Sequence, residues 1–110
     1  MSKLLRGTLE EMLKRTVGSE ERWAVAFTHG TLEVGLYAPR GTDPQQPHEK
    51  DEVYIVIQGQ GTFVVEDERF EFGPGDVLFV PANARHRFEG FTPDFAAWVV
   101  FYGPKGGEAP

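Results

Sequence analysis

The fold is most easily read from residues 46–61, QPHEKDEVYIVIQGQG. The segment 53–58 is rich in β-branched and aromatic residues, which favour an extended strand. Gly59 and Gly61 end it at a turn, and Pro47 keeps the preceding chain out of the middle of a sheet. We therefore expect a strand that leaves a proline-containing loop and turns back sharply at its far end.

Short strands are also predicted on both sides of this segment. Large apolar residues alternate with small or polar ones over 23–28 and 32–36, and the tight turn between these segments predicts a hairpin. Towards the C-terminus, turn residues separate further strand-like segments at 62–66, 69–72, 77–80, 86–89 and 95–102. The one helical segment expected is 9–15, capped by Thr8 and ended by Gly18.

About eight short strands with almost no helix predict an all-β fold, either a sandwich or a closed barrel. The 110 residues have room for one domain with one core. We expect a single domain over 1–110, with a barrel over about 33–102, a helix and hairpin over 8–32, and a frayed tail over 103–110. A closed barrel hides the sheet edges and leaves a mouth lined by alternate residues of several strands.

Composition and charge argue against several classes of protein. Hydrophobic residues make up 40% of the chain, which is too many for a disordered protein. The 11 basic and 17 acidic residues give a net charge of -6, so nucleic acid is not an expected partner. No apolar run is long enough to span a membrane, no secretory signal is expected, and the lack of cysteine removes disulfides and thiolate metal sites. The expected location is the cytoplasm.

The histidines differ in their surroundings. His29 lies in the predicted hairpin turn, where a solvated residue is the simplest interpretation. His48 and Glu52 have an even spacing that places them on one face of an extended chain, and His86 follows a second proline-broken turn. Imidazole and carboxylate groups suit a divalent metal ion, and two histidines with one carboxylate match the ligand set of non-haem iron oxygenases. A constellation this small also occurs by chance.

The residues around these ligands resemble the two motifs of the cupin superfamily, G-x5-H-x-H-x3/4-E-x6-G and G-x5-P-x-G-x2-H-x3-N. Residues 41–59 are similar to the first motif, with His48, Glu52 and Gly59 at its spacing. Residues 75–90 are similar to the second motif, with matches at Gly75, Pro81 and His86. Two motifs in the right order make the metal interpretation specific.

The chain also departs from these motifs. Gln46 stands at the position of the first motif histidine, and Gly41 lies one residue too close to it. Asn83 replaces a motif glycine, and Gly90 replaces the final asparagine. Asparagine tolerates left-handed backbone geometry, so the turn at Asn83 can survive.

The resemblance implies a double-stranded β-helix, or jelly-roll barrel, around one divalent metal ion, either Fe, Mn, Ni or Zn. Transferred residue by residue, the metal ligands are Gln46, His48, Glu52 and His86. Alternatively, Gln46 only hydrogen-bonds near the site and three ligands remain. In a further alternative the metal is absent, as it is in some cupins that have lost ligands.

Residues that share a strand face with the ligands are candidates for lining the pocket. By parity with Glu52 or His86, they are Tyr54, Val56 and Phe88. Core packing is the alternative role for Val56 and Phe88, and a structural hydrogen bond is the alternative for Tyr54. The two arginines beside His86 have the opposite parity and are expected on the outer face.

Three functions compete. The first is an enzyme, an oxygenase-like cupin that uses its metal on a small anionic or enolisable molecule; no catalytic acid or base is assigned, because none stands out. The second is a non-catalytic cupin that binds or senses a small molecule. The third is a sugar isomerase or epimerase, for which the sequence has no sugar-nucleotide signature. The resemblance also implies a homodimer, paired through an edge such as the hairpin over 23–36.

Overall fold

The computed structural model describes residues 5–110, so the first four residues of the expected 1–110 domain lie outside the described part. The described chain folds into one short helix and eight strands, as the sequence predicts. The elements are α1 (Leu9–Val17), β1 (Trp23–His29), β2 (Leu32–Tyr37), β3 (Asp51–Gln58), β4 (Gly61–Val65), β5 (Glu68–Phe72), β6 (Val77–Val80), β7 (His86–Glu89) and β8 (Ala96–Tyr102).

The strands form two antiparallel sheets. One sheet has five strands in the order β1-β2-β8-β3-β6, and the other has three in the order β5-β4-β7. A continuous core with side chains from both sheets fills the space between them. The prediction of an all-β jelly-roll barrel is therefore confirmed.

Aromatic rings dominate this core. Phe88 on β7 lies at its centre, with its ring 4.6 Å from that of Phe95 and 4.9 Å from those of Phe63 and Tyr54. Phe72 closes the cluster at 5.4 Å from Phe88. These separations are typical of favourable edge-to-face and tilted aromatic pairs, which add to the stabilisation from apolar burial.

Helix α1 covers part of the outer face of the five-stranded sheet. Its N-cap is Thr8, whose hydroxyl oxygen accepts the backbone N–H of Glu11 at 3.2 Å. Met12 is buried in a second apolar cluster together with Leu36, Ala24 and the small residues around them. At nine residues α1 is short, and nothing helical in residues 5–110 is long and apolar enough to cross a membrane.

The C-terminal segment 103–110 is attached to the barrel, whereas a frayed tail was predicted. The backbone N–H of Gly106 donates to the carbonyl oxygen of Glu49 at 2.7 Å, and that of Glu108 donates to Oδ2 of Asp51 at 2.8 Å. Asp51 is only 5% exposed, so its carboxylate is a strong acceptor that a glycine-rich composition does not reveal. The tail therefore braces the chain on either side of the start of β3.

Candidate metal centre

Two turns bring the predicted ligands to one end of the barrel. His48 lies in the loop before β3, Glu52 is the second residue of β3, and His86 is the first residue of β7. The backbone N–H of Asn83 donates to the carbonyl oxygen of His48 at 2.6 Å and so ties the two turns together. Asn83 has a φ of 68°, which confirms the left-handed geometry expected where asparagine replaces the motif glycine.

The three side chains form one compact cluster. His48, Glu52 and His86 each offer a ligand atom, and these atoms lie within 4.8 Å of one another. The His48 ring is half-buried and packs edge-on against Phe101 at 5.0 Å. The structure thus brings together three of the four residues that the motif resemblance proposed as ligands.

Glu52 and His86 are buried in an unusual way. Their side chains are 1% and 0% exposed, and Oε1 of Glu52 lies 3.2 Å from Nε2 of His86. Neither of these two atoms has a partner with hydrogen-bond geometry. Buried polar atoms without partners are rare, because each costs about 1–3 kcal/mol.

The tautomer of His86 explains why these two atoms conflict. Its Nδ1 lies 3.0 Å from the carbonyl oxygen of Ala84, so the network assigns the ring proton to Nδ1. In the neutral ring, Nε2 then presents a lone pair to the Glu52 carboxylate. Burial alone lowers the pKa of His86, but the Glu52 carboxylate and the Ala84 carbonyl raise it above its ordinary value overall, so the carboxylate favours a positive charge at Nε2, either a proton or a metal ion.

A divalent cation fits this arrangement. Two facing acceptors in a buried site would both be satisfied by a positive ion, and the histidine–carboxylate donor set suits Fe, Mn, Ni or Zn. The backbone carbonyl that holds Nδ1 of His86 has the role usually played by groups behind a metal-bound imidazole. The residues present therefore match the group that the motif resemblance implies.

The amide oxygen that contacts the cluster belongs to Gln45. Oε1 of Gln45 lies 3.4 Å from Nε2 of His48 and accepts the hydroxyl of Tyr54 at 3.0 Å. Gln46, the residue named by the motif, is exposed and lines the cavity beside the site. The sequence contains both glutamines, but a loop has no periodicity that tells which one turns inward.

Asp43 is a second residue that sequence reasoning missed. Its carboxylate accepts the hydroxyl of Tyr37, the side-chain amide of Gln45 at 2.7 Å and the backbone N–H of Phe88 at 2.8 Å. Burial and the neighbouring Asp43 raise the pKa of Tyr37, so its phenol keeps its proton and remains a donor. Burial and the Glu52 carboxylate likewise raise the pKa of Tyr54.

A cavity of about 740 Å³ opens beside the cluster. His48, Glu52 and Tyr54 line its inner end, and Trp23 and Phe101 contribute an aromatic wall. Its remaining charged lining is mostly acidic, with Glu20, Glu21, Glu33 and Glu49 against Lys50 and Lys105. A volume of this size is large enough for a small organic molecule.

The candidate pocket residues divide between the cavity and the core. Tyr54 lines the cavity, whereas Val56 and Phe88 are buried in the apolar core, the alternative role considered for them. The arginines beside His86 point outward as predicted, with side chains that are 80% exposed at Arg85 and 58% exposed at Arg87.

Fold and site together define a small barrel with a histidine–carboxylate centre at one end. Residues 34–102 match the Cupin domain family, so the chain belongs to the cupin family. This confirms the resemblance inferred from the two sequence motifs.

The chain matches one similar protein over most of its length and others over a short segment. The chain is 32% identical over 99 residues to the uncharacterized protein SCO3923 of Streptomyces coelicolor, a match that covers 88% of this chain and 94% of that protein. It is 48% identical over 46 residues to the acireductone dioxygenase of Bacillus mycoides, which covers 37% of this chain and 27% of that enzyme. The chain thus matches only about a quarter of the length of that dioxygenase.

Solved structures share the fold. The plu4264 protein from Photorhabdus luminescens superposes with a TM-score of 0.69 at 18% identity, covering 94% of this chain and 89% of that chain. A Cupin 2 conserved barrel domain protein from Salinispora arenicola gives a TM-score of 0.66 at 19% identity, covering 94% and 91%. At these identities the similarity concerns the fold alone.

Proposed function

We propose that this cupin binds one divalent metal ion through His48, Glu52 and His86 and acts on a small enolisable molecule in an oxygenase-like reaction. One observation carries the proposal. Two fully buried ligand atoms, Oε1 of Glu52 and Nε2 of His86, face each other at 3.2 Å without a hydrogen-bond partner. A cation held by His48, Glu52 and His86 would remove the conflict, and the cavity beside them has room for a substrate.

The protein's own residues have definable roles in such a reaction. A bound divalent ion supplies Lewis acidity and, if it is iron, the capacity to activate dioxygen. Trp23 and Phe101 offer flat apolar surfaces that can orient a planar molecule and keep water away from it. Tyr54 keeps its proton because its pKa is raised, and it donates that proton to Oε1 of Gln45, which positions the Gln45 amide at the inner end of the cavity.

The similarity to acireductone dioxygenases supports this reaction class. Those enzymes, by their name, are dioxygenases of acireductone, and several of them match 37–49% of this chain at 39–48% identity. The matches cover only 26–33% of their own length. We therefore propose the class of chemistry, and not acireductone itself, for this protein.

The charges around the cavity narrow the expected substrate. A divalent ion with one carboxylate leaves about one net positive charge, which alone would favour an anion. The two lysines of the lining, Lys50 and Lys105, are outnumbered, however, by its four other carboxylates, and Lys105 lies 3.9 Å from one of these, that of Glu49. The other acidic residues of the lining repel a molecule with several negative charges. Of the anionic and enolisable molecules expected from sequence, we favour enolisable ones that are neutral or singly charged.

The test begins with chelator-treated protein that is reloaded with Fe²⁺, Mn²⁺, Ni²⁺ or Zn²⁺ separately. Oxygen uptake is then measured with neutral 1,2- and 1,3-diketones, reductones and phenols, each paired with a carboxylated analogue. We expect uptake with at least one metal, faster for the neutral member of the pair, and none with Glu52→Gln. Glu66→Gln is the matched control, because that carboxylate is 52% exposed on the outer surface.

A non-catalytic binding module is the second candidate function. It is favoured by the state of Tyr37 and Tyr54, whose raised pKa values keep both phenols protonated and whose hydroxyl protons are already donated to Asp43 and Gln45. Metal binding and ligand-induced thermal stabilisation without turnover of any compound would support this function. The absence of metal binding would rule out both metal-dependent functions.

The homodimer stays a prediction. The edge strands of the larger sheet are β1, which belongs to the predicted hairpin, and β6. On β6, Val77 is 66% exposed and Phe79 is 53% exposed, so this edge is the more apolar candidate for pairing. Size-exclusion chromatography at micromolar concentration should give the mass of two chains, and a monomer would contradict the prediction.

A further inference from the structure

We propose that Gln45, held in place by Asp43, supplies an amide oxygen to the metal centre, and that Gln46 does not. The inference rests on the proposed metal binding at His48, Glu52 and His86. It assigns the fourth protein donor to a residue outside the motif position. The observation behind it is the 3.4 Å approach of Oε1 of Gln45 to Nε2 of His48.

The orientation of the Gln45 amide is determined by its partners. Its Nε2 donates to Oδ2 of Asp43 at 2.7 Å, and its Oε1 accepts the hydroxyl of Tyr54 at 3.0 Å. A flipped amide would place its NH₂ group against Nε2 of His48 and its oxygen against the Asp43 carboxylate. Both hydrogen bonds would then be lost or replaced by repulsion. The oxygen is therefore the atom that faces the centre.

Asp43 anchors this amide to both sheets. Its carboxylate accepts the hydroxyl of Tyr37, which ends β2, and the backbone N–H of Phe88 on β7 at 2.8 Å. It also accepts the backbone N–H of Gln45 at 3.3 Å. Because Phe88 is two residues from His86 on β7, the Asp43 carboxylate links the loop that carries Gln45 to the strand that carries His86. Such fixed partners behind a ligand make a centre pre-organised.

The burial of the two glutamines agrees with this assignment. Gln45 is half-buried, and both ends of its amide are hydrogen-bonded, whereas Gln46 is exposed. An amide oxygen is a neutral, hard donor that can complete a shell of two imidazoles and one carboxylate without changing its charge. In the metal-free protein the same oxygen can accept Nε2–H of His48, and a bound cation replaces that hydrogen bond.

The experiment compares glutamine variants by metal affinity and by spectrum. Chelator-treated wild type, Gln45→Ala, Gln45→Glu and Gln46→Ala are titrated with Co²⁺ in a calorimeter, and the visible absorption of each loaded protein is recorded. Gln60→Ala is the control, because that glutamine is exposed at the turn between β3 and β4. Asp43→Asn tests the anchor, and thermal unfolding of each metal-free variant shows that it is folded.

We expect Gln45→Ala to weaken Co²⁺ binding by about 10- to 100-fold and to change the visible spectrum. Gln45→Glu sets a second carboxylate against Asp43 and should also bind less tightly than wild type. Asp43→Asn should weaken binding in the same direction as Gln45→Ala, and Gln46→Ala should have a much smaller effect. If Gln46→Ala causes the large loss and Gln45→Ala does not, the assignment is overturned in favour of the motif position.

Two other outcomes would overturn the inference in distinguishable ways. If wild type binds Co²⁺ and neither glutamine variant changes affinity or spectrum, the centre has three protein ligands and only the Gln45 assignment fails. If wild type binds none of Co²⁺, Mn²⁺, Fe²⁺ or Zn²⁺, the proposed function fails together with the inference. Should Asp43→Asn not fold, the Gln45 and Gln46 variants still decide between the two glutamines.

Discussion

The barrel interior has an aromatic half around Phe88 and a polar half around Glu52 and His86. The two halves differ in whether their buried atoms have interaction partners. In the aromatic half, Phe88 packs against three phenylalanine rings and Tyr54 at centroid distances of 4.6–5.4 Å. In the polar half, Glu52 and His86 are as deeply buried, yet two of their atoms lack a partner. Strand alternation builds both halves, but only the aromatic half is complete without a ligand. The polar half is therefore the part of the barrel to which we assign the proposed function.

The largest expected effect comes from the aromatic half. Phe88→Ala should lower the free energy of unfolding by about 3–5 kcal/mol, because it removes a ring from the centre of the core and leaves a cavity. Denaturant unfolding with chelator present measures this loss without a contribution from metal. A loss below about 1 kcal/mol would show that the aromatic half is not the main source of stability.

The next largest effect is the gain in stability on metal binding, which depends on the polar half alone. At a metal concentration about 100 times Kd, wild type should gain about 2.7 kcal/mol of stability, and Glu52→Gln should gain none. The glutamine NH₂ group can donate to Nε2 of His86, so the metal-free variant should be at least as stable as metal-free wild type. Thermal unfolding with and without metal checks both statements. A strongly destabilised metal-free variant would mean that the carboxylate is already satisfied.

A smaller effect is expected where the two halves meet. Tyr37→Phe removes one donor to Asp43 while the backbone N–H of Phe88 and the Gln45 amide remain. We expect a loss of about 1–2 kcal/mol and weaker metal binding, measured by unfolding and calorimetry on the same samples. Unchanged metal affinity would indicate that Asp43 supports the fold but not the centre.

The smallest effect is expected on the outer face. The Arg87 and Arg69 guanidinium groups hold the pKa of Glu89 below its ordinary value. A lowered pKa stabilises the fold above the carboxyl's ordinary titration range, and that contribution disappears as the pH falls through the lowered pKa. Glu89→Gln should therefore cost little at neutral pH, less in high salt and nothing in strong acid. The measurement is thermal unfolding at neutral and acid pH, and a change in metal affinity would contradict the outward placement of Glu89.

The strands and the cluster of three candidate ligands could be predicted because they follow periodic or motif-based patterns. The alternation of large apolar with small or polar residues predicted the strands. The motif spacing of His48, Glu52 and His86 predicted that these side chains lie close together. Gln45 and Asp43 lie in an irregular loop, where the direction of a side chain depends on distant donors such as the Phe88 N–H. The attachment of the C-terminal tail could not be predicted for the same reason, since its partner Asp51 is far away in the sequence.

The most direct test of the central claim is a calorimetric titration of chelator-treated wild type and Glu52→Gln with divalent metal. We expect saturable binding of one ion per chain to wild type and no saturable binding to Glu52→Gln, with both proteins folded before metal is added. Equal binding to the two proteins, or none to wild type, would contradict the claim that the unpartnered Glu52 and His86 atoms form a metal centre.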